Sequence, residues 1–173
     1  MSPGILYLHG FCSSPQSQKA RLLAAAMQER GLQERFFCPA LSHTPRAAIA
    51  QAEAILAAEG PELTLVGSSL GGYYATWLAE KHDRRAVLIN PAVVAPVSLD
   101  LFVGTQTNLY TGETFEFTVE DVKQLRMFEA TRITPERYLL LVETGDELLD
   151  YRAAVARYAG CRQMVFAGGD HSF

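Results

Sequence analysis

Ser69 stands in the stretch VGSSLGG, with the spacing Gly67-x-Ser69-x-Gly71. Glu62 to Val66 ahead of it reads as a strand, and Ser69 to His82 reads as a helix. A turn alone asks for no such spacing. A nucleophile elbow does: it is a tight strand-to-helix turn whose glycines omit Cβ atoms that would strike nearby backbone, and it holds one serine exposed in a strained conformation. The same turn places the Leu70 amide at a helix N-terminus, where unpaired N–H groups and the helix dipole favour a developing oxyanion.

A serine hydroxyl needs a base to take its proton, and the base needs a third group to fix its tautomer. Of the four histidines, His9 ends the first strand and His171 follows the last. Both are expected at the carboxyl edge of a parallel sheet, where ligands bind in open α/β folds. His171, in GGDHSF, is the candidate base because it lies on a glycine-marked loop downstream of the other partners. His9 is expected to brace the loop of YLHGF through a hydrogen bond, and His82 to face solvent. His43 sits in a loop, near the site or unrelated to it. For the acid, YLLLVETGDELLDYR offers Asp146, just past a strand and after Gly145. Asp150 reads instead as the N-cap of the next helix. Glu143 and Glu147 are lesser candidates, and Asp170 is too near His171 in sequence to face it. The second oxyanion donor is expected from the loop after the first strand, where Gly10 permits close approach: Phe11, with Cys12 next.

These residues need a frame. Apolar runs at Gly4 to Leu8, Glu34 to Cys38, Glu62 to Val66, Arg85 to Ile89, Tyr138 to Glu143 and Gln163 to Ala167 read as strands. They alternate with helical patterns at Ser17 to Arg30, Arg46 to Glu59, Ser69 to His82 and Tyr151 to Tyr158. That alternation predicts an α/β fold, a mostly parallel sheet with helices on both faces. The chain is read as one domain, residues 1–173, with a flap insertion at 91–135 holding a single modest helix, Val119 to Phe128. The insertion's Phe102, Leu109, Tyr110, Phe115 and Phe117 favour a packed flap, either plugged onto the core or lining a substrate pocket. Cys12, Phe102 and Tyr110 are the candidate pocket residues.

Composition narrows the classes. With 173 residues, 49% of them hydrophobic and 20% charged, the chain suits an ordinary globular domain. The net charge of -4 and the scattered basic residues argue against a nucleic-acid partner. Three cysteines without C-x-x-C spacing suggest neither a disulfide framework nor a metal site and fit a reducing compartment. The N-terminus lacks a basic n-region followed by an apolar segment, and the longest nearly apolar run, Ala86 to Val97, is broken by Asn90, Pro91 and Pro96. The expectation is a cytoplasmic protein with no membrane span.

Taken together, LYLHGFCSSPQSQKA, VGSSLGGYYATWLAE, INPAV, NLYTGE, TGDELLDYR and GGDHSF resemble the α/β-hydrolase fold, and more narrowly the small YqiA-like bacterial esterases. The resemblance covers essentially the whole chain. It implies Ser69 as nucleophile, Asp146 as acid, His171 as base, and an esterase or acyl-thioesterase activity. It also implies a compact six-stranded sheet in the order 2-1-3-4-5-6, counted along the chain. Members of that family carry a helix after the histidine, whereas this sequence ends at Phe173. Without that helix one sheet face is expected to be partly bare, which leaves open a shortened chain or a covering second subunit, as in a homo-oligomer.

Other classes fit less well. Gly67 and Gly72 have the outer spacing of a phosphate-binding loop, but Tyr73 and Tyr74 stand where its Lys and Ser or Thr belong. No G-x-G-x-x-G follows the first strand. A non-catalytic binding protein on the same scaffold, or a triad used for acyl transfer or carbon–carbon cleavage, stays open, because fold does not fix function. The reading is a serine hydrolase acting on a small acyl ester or thioester, with no cofactor or metal called for.

Overall fold

The computed structural model describes residues 3–93 and 96–173. In chain order its elements are β1 (Gly4–Leu8), α1 (Gln18–Glu29), β2 (Phe36–Phe37), α2 (Pro45–Glu59), β3 (Leu63–Ser69), α3 (Leu70–His82), β4 (Ala86–Pro91), β5 (Gly104–Thr107), β6 (Thr114–Phe117), α4 (Val119–Met127), β7 (Tyr138–Glu143), α5 (Tyr151–Arg157) and β8 (Arg162–Phe166). Six strands form one parallel sheet in the order β2-β1-β3-β4-β7-β8, the order expected from the sequence. No helix among the described residues is long and apolar enough to cross a membrane.

Strand alternation decides which face each side chain serves. Leu6, Leu8, Leu65, Leu88, Leu140 and Val142 join residues of α2, α3, α4 and α5 in the larger core. Tyr7, Val66 and Ile89 turn the other way and meet Ala20 of α1. Leu6, Leu8, Leu65, Leu78, Leu88 and Leu140 are wholly shielded from solvent. Each such side chain contributes about 1.5 to 3 kcal/mol of burial. The coverage is lopsided: on β8, Met164 and Phe166 remain 43% and 39% exposed, and the Phe166 ring meets Phe173 edge to face.

Three expectations need correction. The strand expected at Glu34 to Cys38 shrinks to Phe36–Phe37, because Glu34 and Arg35 lie in a 3-10 turn and Arg35 reaches Glu59 at 2.8 Å. The strand expected to end at Val66 runs on to Ser69, kept in the sheet by pairing to β1 and β4. The insertion holds more than one helix: a 3-10 segment spans Pro96–Phe102, and β5 and β6 form an antiparallel hairpin. Residues 94 and 95 of that insertion lie outside the described residues. Its helix α4 starts at a capping box in which Thr118 and Asp121 each accept the other's backbone N–H. The Tyr73 hydroxyl donates to the Leu125 carbonyl at 2.7 Å, and Phe128 meets Trp77 edge to face. These contacts fix the insertion to α3.

Two features of the frame bear directly on the site. A Cβ on Gly71 would lie 1.9 Å from the Leu8 carbonyl oxygen, so α3 reaches the end of β1 only because that atom is missing. His9, 4% exposed, ties that same strand end to the neighbouring loop: its Nδ1–H donates to the Gly10 carbonyl at 3.0 Å, and its Nε2 accepts the Leu41 amide at 3.0 Å. Burial holds the His9 imidazole below the usual histidine range, which the hydrogen bond to Gly10 only partly opposes.

Gly71→Ala is expected to lower stability by about 1 to 3 kcal/mol through overpacking. Gly31→Ala serves as a reference: Gly31 has a φ of 68°, but a Cβ there would meet nothing within 4 Å. Chemical denaturation of both reads the comparison; because Ala is itself strained at the φ of 68° of Gly31, a loss at Gly71 no greater than that at Gly31 would mean that the contact with Leu8 costs no more than left-handed strain. For His9, a folded-state pKa below the unfolded value means that stability is full above about pH 6.5 and falls as pH drops toward the folded value. His9→Gln keeps an acceptor for Leu41 without a titrating ring. Its denaturation midpoint should fall less than the parent's between about pH 7.5 and about pH 5, which brackets the histidine range. Identical falls would exclude His9 as the source.

Candidate active site

Ser69 closes β3 with φ 55° and ψ -122°, a conformation that costs a non-glycine residue about 1 to 3 kcal/mol. The surroundings enforce it. A Cβ on Gly67 would fall 2.3 Å from the Gly71 carbonyl oxygen, and one on Gly72 would fall 2.6 Å from Pro91. The backbone on either side of Ser69 is therefore packed against itself, and the Ala92 amide donates to the Ser69 carbonyl at 2.9 Å.

Opposite Ser69 lies the loop after β1. A Cβ on Gly10 would sit 3.2 Å from Ser69 Cβ and 3.7 Å from its Oγ. Phe11 follows, with its ring packed edge to face on Phe102, Phe115 and Phe117 at centroid distances of 5.8, 5.8 and 5.0 Å. Among the described residues, the amides of Phe11, Cys12 and Leu70 donate to no backbone acceptor, and Leu70 opens α3. A cleft open to solvent begins here; its walls include His9, Phe11, Cys12, Leu70, Tyr74 and Phe115. Burial pushes the Cys12 thiol up, away from thiolate chemistry.

On the other side of Ser69 the His171 Nδ1 meets Asp146 Oδ2 at 2.8 Å, with the Asp146 side chain 2% exposed. The second oxygen, Oδ1, accepts the amides of Leu148 and Leu149 at 2.9 and 2.8 Å. A carboxylate so enclosed is stable only with its lone pairs occupied. Donation from Nδ1 leaves Nε2 as the free acceptor of the ring. Asp150 instead caps α5, accepting the Arg152 amide at 3.0 Å. Among the described residues Ser69 Oγ makes no hydrogen bond to the imidazole; such contacts are often long until substrate binds.

The loop carrying His171 is held from the strand ends. The Glu143 carboxylate accepts the Asp170 amide at 2.9 Å, and Glu147 accepts the His171 amide at 2.9 Å. The residue that sequence reasoning missed is Asn90. It is 2% exposed, has φ 40°, and sits at the end of β4 beside the elbow. Its Nδ2 donates to the carbonyls of Asp170 and His171 at 3.2 and 3.4 Å, while its Oδ1 accepts the Glu143 amide at 2.9 Å. The signal was present in the INPAV block, since asparagine tolerates the left-handed region better than other non-glycine residues. Lys19 of α1 adds a donor to the Ser172 carbonyl. Burial lowers the Lys19 ammonium below the usual lysine range, against the pull of Asp170, Glu143 and Asp146.

The remaining candidates scatter. Phe102 packs on Phe11 and is 43% exposed, Tyr110 is 45% exposed, and neither is among the residues that line the cleft. Phe117 is buried in the core, whereas Phe115 lines the cleft, so the insertion both plugs and lines. His43 stacks on Phe115 at 4.6 Å in that wall, and His82 pairs with Glu53 at 2.7 Å, away from the cleft. Among the described residues no cluster of His, Cys, Asp or Glu is arranged to hold a metal ion.

Solved structures share this architecture. Alpha/beta hydrolase domain-containing protein 10 from mouse superposes with a TM-score of 0.75 at 21% identity, covering 99% of this chain and 82% of its own. Est1E from Butyrivibrio proteoclasticus gives 0.68 at 18% identity, covering 99% and 80%. A monoacylglycerol lipase from Paleococcus ferrophilus gives 0.68 at 15% identity, covering 98% and 87%. At such identities the likeness is one of fold: the sheet and its helices are those of an α/β hydrolase. The sequence model of an uncharacterised protein family, UPF0227, matches residues 4–173, and the chain therefore belongs to that family.

Proposed function

We propose that the protein is a serine hydrolase that cleaves carboxylic esters or acyl thioesters through an acyl-enzyme intermediate. The observation that carries this reading is the Asp146–His171 contact at 2.8 Å, anchored through Asn90 to the strand end next to a strained Ser69. In this scheme the Ser69 hydroxyl attacks the acyl carbonyl while His171 Nε2 takes its proton. Asp146 holds Nδ1–H and stabilises the imidazolium. The carbonyl oxygen, now negative, accepts hydrogen bonds from the Leu70 and Phe11 amides, which have no backbone acceptor of their own among the described residues. Collapse breaks the bond to the alcohol or thiol, which leaves with the proton from His171. Water, deprotonated by the same nitrogen, then attacks the acyl-enzyme and releases the acid. The mixed polar and apolar cleft, whose lining includes Cys12, Tyr74 and Phe115 with His43 stacked on it, supports an acyl group of short to medium length.

Treatment with a fluorophosphonate and peptide mapping is expected to find the adduct on Ser69, and none on Ser69→Ala. A folded protein that takes no label would favour a binding role on the same scaffold. Separate Asn replacements discriminate the acid. Asp146→Asn should lower kcat on a p-nitrophenyl ester by about 10³ to 10⁴-fold, because the tautomer is lost. Asp150→Asn should leave kcat within about threefold, since Asn caps a helix nearly as well. The larger loss at Asp150 would overturn the assignment.

A further inference from the structure

We propose that Asn108, at the tip of the β5–β6 hairpin, is a positioning residue for the oxyanion loop, so that the flap shapes the catalytic centre rather than only covering it. This rests on the hydrolase reading above. The loop Phe11–Ser14 leaves β1 without joining a sheet, and Cys12 holds φ 54°, a strained value for a side chain with Cβ. Such a conformation persists only where neighbours enforce it. The flap supplies the grip. Asn108 Nδ2 donates to the Ser13 carbonyl at 2.8 Å, and the Leu109 amide donates to the Cys12 carbonyl at 2.8 Å.

The flap tip is itself built to deliver those two donors. Asn108 Oδ1 accepts the amides of Tyr110 and Thr111 at 2.9 and 3.1 Å. Its backbone N–H donates to the Glu113 carbonyl at 2.8 Å, and its carbonyl accepts the Gly112 amide at 3.0 Å. Leu109, next in the chain, is 79% exposed, so its side chain does not hold the tip in place. One asparagine thus closes its own turn with Oδ1 and fastens the turn to the loop with Nδ2. Holding the carbonyls of consecutive residues Cys12 and Ser13 fixes the peptide planes that carry the Ser13 and Ser14 amides. The Cys12 amide is separated from the first of these only by the Cys12 φ and ψ, which sit in the narrow left-handed region, and the Phe11 amide lies one residue further back. The ring of Phe11, wedged among Phe102, Phe115 and Phe117 of the same insertion, resists rotation from the other end.

Asn108→Asp isolates the contact, because it keeps an oxygen for the Tyr110 and Thr111 amides but turns the donor toward Ser13 into a second acceptor. Activity on p-nitrophenyl acetate and inhibition by an alkyl trifluoromethyl ketone, whose adduct with serine carries the oxyanion, are measured together. The expected result is a loss in kcat of about 10- to 100-fold, a KM within about threefold, and a rise in the inhibition constant that tracks kcat. Asn108→Ser, whose hydroxyl retains a turn but is too short to reach Ser13, is judged by the same criterion and stands in if the Asp variant does not fold. Unchanged kcat, or a fall in kcat with unchanged ketone inhibition, overturns the positioning role. Ser69→Ala run alongside separates the two ideas: if it keeps full activity, the hydrolase scheme fails. If it is inactive while both Asn108 variants match the parent, only the role of Asn108 fails.

Discussion

Everything at the site depends on how closely α3 approaches the end of β1. The Gly71 backbone lies against the Leu8 carbonyl with no room for a single carbon atom, and Gly67 lies equally close to the Gly71 carbonyl. This contact leaves Ser69 little choice of backbone conformation, because the strand must end and the helix begin within one residue. The strain there is offset by the helix it launches, whose Leu70, Tyr74, Ala75, Leu78 and Ala79 are buried in the main core. It also sets the Leu70 amide across from the loop that begins at Gly10. The geometry proposed for an oxyanion is therefore a by-product of this close backbone contact.

The loop of His171 follows a different logic. Its backbone is hydrogen-bonded to side chains at and just beyond the ends of β4 and β7, those of Asn90, Glu143 and Glu147. A carboxylate that accepts a backbone amide gains a charge-assisted bond and fixes position without rigid packing. Several negative side chains consequently gather around one imidazole, and Lys19, reaching in from α1, is the cation set against them. The arrangement holds the ring to Asp146 while the loop itself stays near solvent.

How much of this was legible in the sequence follows from the range of the interactions. β1 and β7 match the expected bounds because their alternation and apolar runs are local signals; alternation with helices pointed to a parallel sheet, and its order came from the family resemblance. The glycine spacing exposed the elbow because a close backbone contact leaves a compositional mark. Asn90 left only a weak mark, an asparagine at the strand end in INPAV, because its partners Glu143, Asp170 and His171 are far along the chain. The hairpin was missed for another reason. Its strands have four residues each, and they are joined by the stretch from Asn108 to Glu113 rather than by a two-residue turn of the Asn-Gly kind. Phe102 and Tyr110 were drawn toward the pocket by aromaticity alone, which says that a side chain wants burial and not where.

Asn90 and Asn108 solve the same problem on opposite sides of Ser69. Each uses its amide nitrogen to hold a carbonyl of a loop at the site and its oxygen to accept a backbone N–H, of Glu143 in one case and of its own turn in the other. A carboxylate could not do this, since it has no donor, and a lysine could not, since it has no acceptor; a short carboxamide offers both. The choice also keeps these clamps neutral, so they fix positions without adding charge beside the Asp146–His171 pair. The two loops are gripped by different residues from different elements, one by the strand end and one by the flap. A shift of the flap can therefore alter the loop after β1, the proposed oxyanion side, while Asp146 and His171 stay paired, because the bonds that hold the His171 loop run to the sheet and not to the hairpin.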